Sequence, residues 1–335
     1  MSPISKPDAP TVVSRPSDAS ALAPGGLGGV SLEGGAPAES ESGLAARIRD
    51  LATAAKAAGQ VLRSAPTATK NAVLRRVADA VEADAARLRA ANDRDLEVAA
   101  TMHLSDAMID RLRLTDVRVA SMAAGLRAIA DLPDPVGEVA ESRVLENGLR
   151  VERVRAPLGL IGIIYESRPN VTVDAAALCI KSGNAVLLRG GKEAFESNTV
   201  LADLIGQALE AEGLPRACAM LLPTTDRSAT LEMIRLAGVL DLVIPRGGEG
   251  LIRFVTEHAR VPVVQHYKGV CHVFVDAGAD LEMAGRIVRN SKVQRPGAFN
   301  ALAAASADAA VAVALPPTAP VLVALGGLRA GACAQ

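Results

Sequence analysis

The side chains best suited to chemistry stand at the ends of short apolar runs. Tyr165-Glu166-Ser167-Arg168-Pro169-Asn170-Val171 follows one such run and leads into a helical pattern. In that turn the Arg168 guanidinium offers a two-pronged grip on a carboxylate or phosphate. The Asn170 side-chain amide can donate to an oxyanion as charge develops on it. Asn170 and Thr172 also suit a helix cap, so a structural role competes with the chemical one. Two glycine pairs stand at comparable places. Arg189-Gly190-Gly191-Lys192 follows the run ending at Leu188, and Pro245-Arg246-Gly247-Gly248-Glu249-Gly250 follows the run ending at Ile244, ahead of a helix. Glycines at the carboxyl end of a strand let backbone N–H groups approach a phosphate, and a helix N-terminus adds a favourable dipole. Tight turns ask for glycine as well, but two pairs in one sheet, each beside an arginine, favour an anionic ligand. Neither the G-x-G-x-x-G dinucleotide fingerprint nor a Walker A loop is present.

The elements that position these residues alternate. Residues 160–165 read as a buried strand, 172–181 as a helix with Asp174 in its first turn and Gly183 just past its end, and 185–188 as the next strand. Leu201, Leu204, Ile205, Ala208 and Leu209 line one helical face, stopped by Gly213 and Pro215. Strands over 219–222, 240–244 and 261–264, with helices between them, continue the rhythm. Strand and helix at these lengths imply parallel β with right-handed crossovers, a doubly wound α/β domain. Upstream, Leu74, Val77, Val81 and Leu88 recur at helical spacing, and Leu112, Leu114, Met122 and Leu126 sit in a second helical stretch, broken by Asp131-Leu-Pro-Asp-Pro135. Runs on either side of Asn147-Gly148 read as a β-hairpin.

Composition excludes several classes. With 36 basic and 37 acidic residues in 335, the net charge of -1 leaves no electrostatic footprint for nucleic acid. Aromatic content of 2%, without Trp, rules against stacking platforms for single strands. The four cysteines, Cys179, Cys218, Cys271 and Cys333, have no paired spacing, which fits reduced thiols in the cytoplasm better than disulfides or a metal site. Every apolar run is interrupted by Asp, Arg, Lys or Gly before it could span a membrane.

The longer blocks carry a specific resemblance. Arg155-Ala-Pro-Leu-Gly-Leu-Ile-Gly-Ile-Ile-Tyr-Glu-Ser-Arg-Pro-Asn-Val-Thr-Val-Asp174 resembles the γ-glutamyl phosphate reductase (glutamate-5-semialdehyde dehydrogenase) family of the aldehyde dehydrogenase superfamily. Lys181-Ser-Gly-Asn-Ala-Val-Leu-Leu-Arg-Gly-Gly191, Ile244-Pro-Arg-Gly-Gly248, His266-Tyr-Lys-Gly-Val-Cys-His-Val-Phe-Val-Asp276 and Gln294-Arg295-Pro296-Gly297 extend it, from about residue 44 to 301. The resemblance implies an α/β fold: an aldehyde-dehydrogenase-like, doubly wound parallel-sheet cofactor domain with an incomplete catalytic domain. It implies a nicotinamide-cofactor domain (43–265) with an oligomerisation hairpin (133–155) and the start of a catalytic domain (266–301). Outside it, composition without a periodic apolar face marks a disordered extension (1–42) and an aberrant Ala/Pro/Gly-rich tail (302–335). The resemblance further implies NADPH as cofactor, L-glutamyl 5-phosphate as substrate, an upstream glutamate kinase as a partner and a homo-oligomeric family habit. No metal is implied. Asn170 corresponds to the oxyanion-stabilising asparagine. Arg189, Gly190, Gly191, Pro245, Arg246 and Gly247 correspond to positions near the cofactor, and Arg168 and Arg295 to groups that would hold the substrate's anions.

One departure bears on activity. In the resembling family a cysteine attacks the acyl phosphate, the resulting thioester accepts hydride and the adduct collapses to aldehyde. Here the matching position is Phe299, whose ring has no lone pair to attack carbon. Loss of a nucleophile removes several orders of magnitude in rate, on the order of 10⁶ in a hydrolase. Cys271, in an apolar run and on the opposite strand face from His272, reads as a structural thiol. After residue 301 neither helical nor strand period is expected to persist, as in a reading-frame shift, and the strand completing the oligomerisation sheet is expected to be missing. The expectation is a chain without turnover.

Overall fold

The computed structural model describes residues 41–102, 104–265, 269–294, 301–308 and 322–325, all within one compact unit, Ser40–Gln335. Five helices come first: α1 (Glu41–Leu62), α2 (Thr67–Ala83), α3 (Ala85–Thr101), α4 (Asp106–Leu112) and α5 (Asp116–Asp131). Helix α1 takes in the last two residues, 41 and 42, of the expected disordered extension. The periodic stretches break at Asp84 and at residues 113–115, where Thr115 caps α5 by accepting from the Arg118 N–H. Helix α5 stops at Asp131 because Leu132, ahead of Pro133, is extended (ψ 151°).

Strands β1 (Val139–Val144) and β2 (Arg150–Val154) form the expected antiparallel hairpin. Gly148, at φ +83°, turns the corner, and the Leu149 N–H donates to Asn147 Oδ1. Every residue of both strands is exposed.

The main sheet follows: β3 (Leu160–Tyr165), α6 (Asn170–Lys181), β4 (Ala185–Arg189), α7 (Phe195–Ala211), β5 (Ala219–Leu221), α8 (Ser228–Ile234), β6 (Leu242–Arg246) and α9 (Glu249–His258). Its order is β5-β4-β3-β6, parallel throughout. Alternation assigns the two faces. Ile161, Ile163 and Tyr165 of β3, with Val186 and Leu188 of β4, pack under α2, α5, α6 and α7. Leu160, Ile164, Ala185 and Leu187 pack on the other side against α1, α8 and α9. A strand covered on both faces reads as an unbroken apolar run, which is why β3 is buried at all six positions. Gly162 admits α8 closely, since a Cβ there would collide with Met233 and Leu240. The strand expected over 261–264 reduces to a single bridge, Val243↔Val263, beside Pro262, which has no N–H to give a ladder.

A second parallel sheet, in the order β7-β8-β9, joins β7 (Cys271–Val275), β8 (Leu302–Asp308) and β9 (Leu322–Leu325), with α10 (Leu281–Val293) between β7 and β8. Regular structure thus continues past residue 301, against the expectation of a patternless tail. Strand β8 is Leu-Ala-Ala-Ala-Ser-Ala-Asp. Alanine is a poor strand former, so period-2 alternation is barely legible there, yet Leu302, Ala305 and Ala307 are buried against Val273, Val275, Ala284 and Val288. No described helix is long and apolar enough to cross a membrane.

Candidate active site

Because β3, β4 and β6 run in parallel with Ile164 beside Arg189 and Tyr165 beside Arg246, the three candidate loops leave the sheet at one edge. In the β3–α6 turn, Ser167 is held at φ +36°, a left-handed conformation that non-glycine residues seldom adopt. Its N–H and hydroxyl both donate to Glu193 Oε1, at 2.5 and 2.7 Å. Arg168, next along, is exposed. Desolvation lowers its pKa first, and the like charges of Arg111 and Arg246 add to the effect, so three guanidiniums from three elements share one field.

Helix α6 begins at Asn170 itself. No side chain caps it, and Asp174 falls beyond the first turn. The capping alternative for Asn170 is therefore not what the structure has. Its Nδ2 donates instead to Asp174 Oδ2 at 3.0 Å. Burial pushes the Asp174 carboxyl up, opposed by that bond. Behind it runs a buried relay. The Thr172 hydroxyl donates to Asn198 Oδ1 (2.8 Å), so the Tyr165 hydroxyl must donate to Thr172 Oγ1 (2.6 Å). Burial drives the Tyr165 phenol far above its usual range, which keeps it neutral.

The glycine pairs have a geometry that spacing alone did not reveal. At Gly190, Gly191 and Gly247 the space a Cβ would fill is occupied by the chain's own Asn198 amide, Glu193 carboxylate and Glu166 carboxylate. The Gly248 N–H, at the start of α9, donates to Glu166 Oε2 at 2.8 Å. Arg189 turns inward. Its Nη1 donates to the Gly190 carbonyl (2.6 Å) and its Nη2 to the carbonyls of Thr225 and Asp226 (3.1 and 3.3 Å), tying β4 to the loop before α8. Burial pushes its guanidinium down, with the Glu193 charge opposing. Pro245 is buried within β6, while Arg246 is exposed at its end.

Two buried donors at this edge lack partners, Arg189 Nε and Asn198 Nδ2. At the start of α9 the Glu166 carboxylate takes the Gly248 N–H, while a Cβ placed on Gly250 has nothing within 4 Å. An anion presented here would meet Arg168 and Arg246, while the positive end of α9 is already answered by Glu166. Sequence reasoning missed Glu166, Glu193, Asn198 and Arg111. The only signal available was the Lys192-Glu193 pair directly after the glycines.

The thiols are elsewhere. Cys179 and Cys218 are buried in the layers of the main sheet, and burial pushes them up to about 12 and about 11, which leaves them inert. Cys271 is half-buried in β7, less enclosed than the structural reading supposed, and its strand alternates as expected, with His272 exposed. Arg295 and Phe299 lie outside the described residues, as do His266, Cys333 and the rest of the Ala/Pro/Gly-rich segment beyond β8 and β9.

The aldehyde dehydrogenase family model matches residues 34–299. Among curated relatives, γ-glutamyl phosphate reductase of Geobacter metallireducens is 52% identical over 259 residues, covering 77% of this chain. The same-named protein of Xanthomonas axonopodis pv. citri is 52% identical over 255 residues, covering 76%. The chain spans 62% of the length of each. Among solved structures, γ-glutamyl phosphate reductase of Thermotoga maritima superposes with a TM-score of 0.76 at 43% identity, covering 81% of this chain and 66% of that one. The Saccharomyces cerevisiae protein of that name gives 0.62 at 32% identity, covering 78% and 66%. A sheet whose glycine loops and arginines meet at one edge, matched over 266 consecutive positions from 34 to 299, leaves one conclusion: the chain belongs to the aldehyde dehydrogenase family.

Proposed function

We propose that this edge serves the γ-glutamyl phosphate reductase reaction, in which L-glutamyl 5-phosphate is reduced to L-glutamate 5-semialdehyde and phosphate is released, in proline biosynthesis in the cytoplasm. The observation that carries the reading is the 52% identity to relatives of that name. The residues present fit NADPH. The exposed Arg246 suits a phosphate, and the unpartnered Arg189 Nε and Asn198 Nδ2 offer buried donors beside Gly190. When bound, the nucleotide would supply the hydride. Arg168 faces outward to hold the substrate's anion, with Arg295 as its companion. The Asn170 amide has two N–H donors, so one can serve an oxyanion while the other keeps its bond to Asp174, which fixes the amide's orientation. On this reading residues 43–265 form the cofactor domain and residues 266–301 the start of the catalytic domain. The exposed β1–β2 hairpin is the surface for self-association, and a glutamate kinase supplies the unstable acyl phosphate.

Phe299 favours a second reading, a nucleotide-binding chain without turnover, because the attacking thiol has no counterpart at that position. One experiment separates the two. Purified protein is given glutamate 5-semialdehyde, phosphate and NADP⁺, and its melting temperature is followed with NADPH. A rate at background with an NADPH-dependent rise in melting temperature is the expected outcome and supports the second reading. Turnover above background restores the first in full. A folded sample that shows no thermal response to NADPH defeats the cofactor assignment in both.

A further inference from the structure

Ser167 is the one non-glycine residue with a left-handed backbone among the described residues. It is 4% exposed, and the group that meets both of its donors, Glu193, is 7% exposed. Strain at such a position disfavours the conformation by roughly tenfold to a hundredfold, so something must hold it. A carboxylate accepting two bonds in a buried setting is strong enough to do so. The neighbourhood is built around that carboxylate. Gly191 has an ordinary extended backbone (φ -62°, ψ 152°), so no turn requires glycine there. What a Cβ at that position would meet is the Glu193 carboxyl group, whose atoms are its three nearest neighbours. Gly191 is therefore the space through which Glu193 reaches Ser167.

We propose that Glu193 is a positioning residue: by locking Ser167 in its left-handed conformation it fixes the turn that presents Arg168 outward and starts α6 at Asn170. The proposal rests on the reading of this edge as the cofactor and substrate site. Glu193 acts through the turn and needs no contact with either ligand. Its link to the cofactor side passes through Glu166, the residue before Ser167, which receives the Gly248 N–H of α9. A turn released at Ser167 thus disturbs both Arg168 and, through Glu166, the start of α9 next to Arg246.

The test exploits the freedom of glycine at positive φ. If Glu193 holds a backbone conformation, Ser167→Gly makes the holding unnecessary. The full chain is prepared as E193A, E193Q and the double variant E193A/S167G, and NADPH is titrated by nicotinamide fluorescence, which no tryptophan obscures because the chain has none. Expected are a roughly tenfold weaker Kd in E193A, a change under about threefold in E193Q, which keeps the acceptor oxygen, and return to within about threefold of wild type in E193A/S167G. A double variant as weak as E193A would mean that Glu193 touches the ligand itself, and an unchanged E193A would mean that it holds nothing; either result overturns the proposal.

A second readout does not depend on the ligand. Amide exchange is followed at Val171 and Thr172, whose N–H groups donate to Arg168 and Pro169 carbonyls (both 3.0 Å) and not to Glu193. Exchange there should quicken in E193A and slow again in the double variant, and unaltered exchange sinks the proposal. Should wild type bind no NADPH, the functional reading fails while this readout still decides the role of Glu193. Should E193A not fold, G191A displaces the same carboxylate without straining the backbone, and S167G should rescue it in the same way.

Discussion

The two parallel sheets are built on the same plan and held by different means. In the main sheet, long apolar strands are covered on both faces, and every buried polar or charged side chain among the described residues belongs to it, to the helices around it or to the turns that join them, from Lys70 to Thr230. The sheet of β7, β8 and β9 is packed with Val and Ala and carries none of these, and Phe274, on its middle positions, is 57% exposed. Apolar volume drives burial in both, but among the described residues the buried charges and amides are all in the first. In the second, the exposed Lys292 of α10 donates to the Leu302 carbonyl. The candidate residues that the structure describes sit in the first sheet for the same reason: a site needs side chains held by their surroundings, and Glu193, Asn198 and Arg189 are buried among such partners.

That contrast can be tested most severely at Lys70 and Asp134. The Lys70 ammonium, 1% exposed, pairs with Asp134 at 2.5 Å. Thr67 Oγ1 and the Val136 N–H also donate to the same carboxylate (2.6 and 3.0 Å), which ties the start of α2 to the root of the hairpin. D134N leaves a buried cation unpaired and should cost about 3–5 kcal/mol in urea unfolding; a loss below about 1 kcal/mol would remove the buried charge from the comparison. The sign with pH is set by the carboxyl. Burial alone would raise it, but the bonds from Lys70, Thr67 and Val136 win and hold it below the usual range. A carboxyl lowered on folding adds stability above its unfolded value, and that stability is lost as pH falls through the folded value. Wild type should therefore lose more stability than D134N as the pH drops below about 4.

Next in size is L187A, in a fully buried strand position of the main sheet. It should cost about 2–5 kcal/mol by the same measurement, the range for a buried leucine cut to alanine. The smallest effect is expected from the second sheet. F274S should change stability by no more than about 0.5 kcal/mol, because its ring is already mostly in water. Should F274S cost as much as L187A, some surface covers that ring in solution and the contrast between the sheets narrows.

Legibility in the sequence followed the same division. Strands β3, β4 and β6 and the helices between them were readable because buried parallel strands are unbroken runs of Val, Ile and Leu. Strand β8 was not, because alanine fills space without announcing a strand. Of the site, Arg168, Asn170 and the glycine pairs could be named from type and spacing. What occupies the glycine notches could not, since a bond such as Ser167 to Glu193 spans 26 residues and leaves no local pattern. The inward turn of Arg189 was hidden likewise, because nothing in Arg-Gly-Gly says which carbonyls its nitrogens will find.

The order of strands has a consequence for how the polypeptide matures. Strand β3 sits inside the sheet, yet its partner on one side is β6, and Leu160 waits for Asp241, 81 residues further on, to receive its N–H. During synthesis the six apolar residues of β3 emerge with one edge unsatisfied until β6 has left the ribosome. Assembly that depends on so distant a pairing is slow, and the waiting strand is the natural place for self-association in the test tube and for chaperones to engage in the cell.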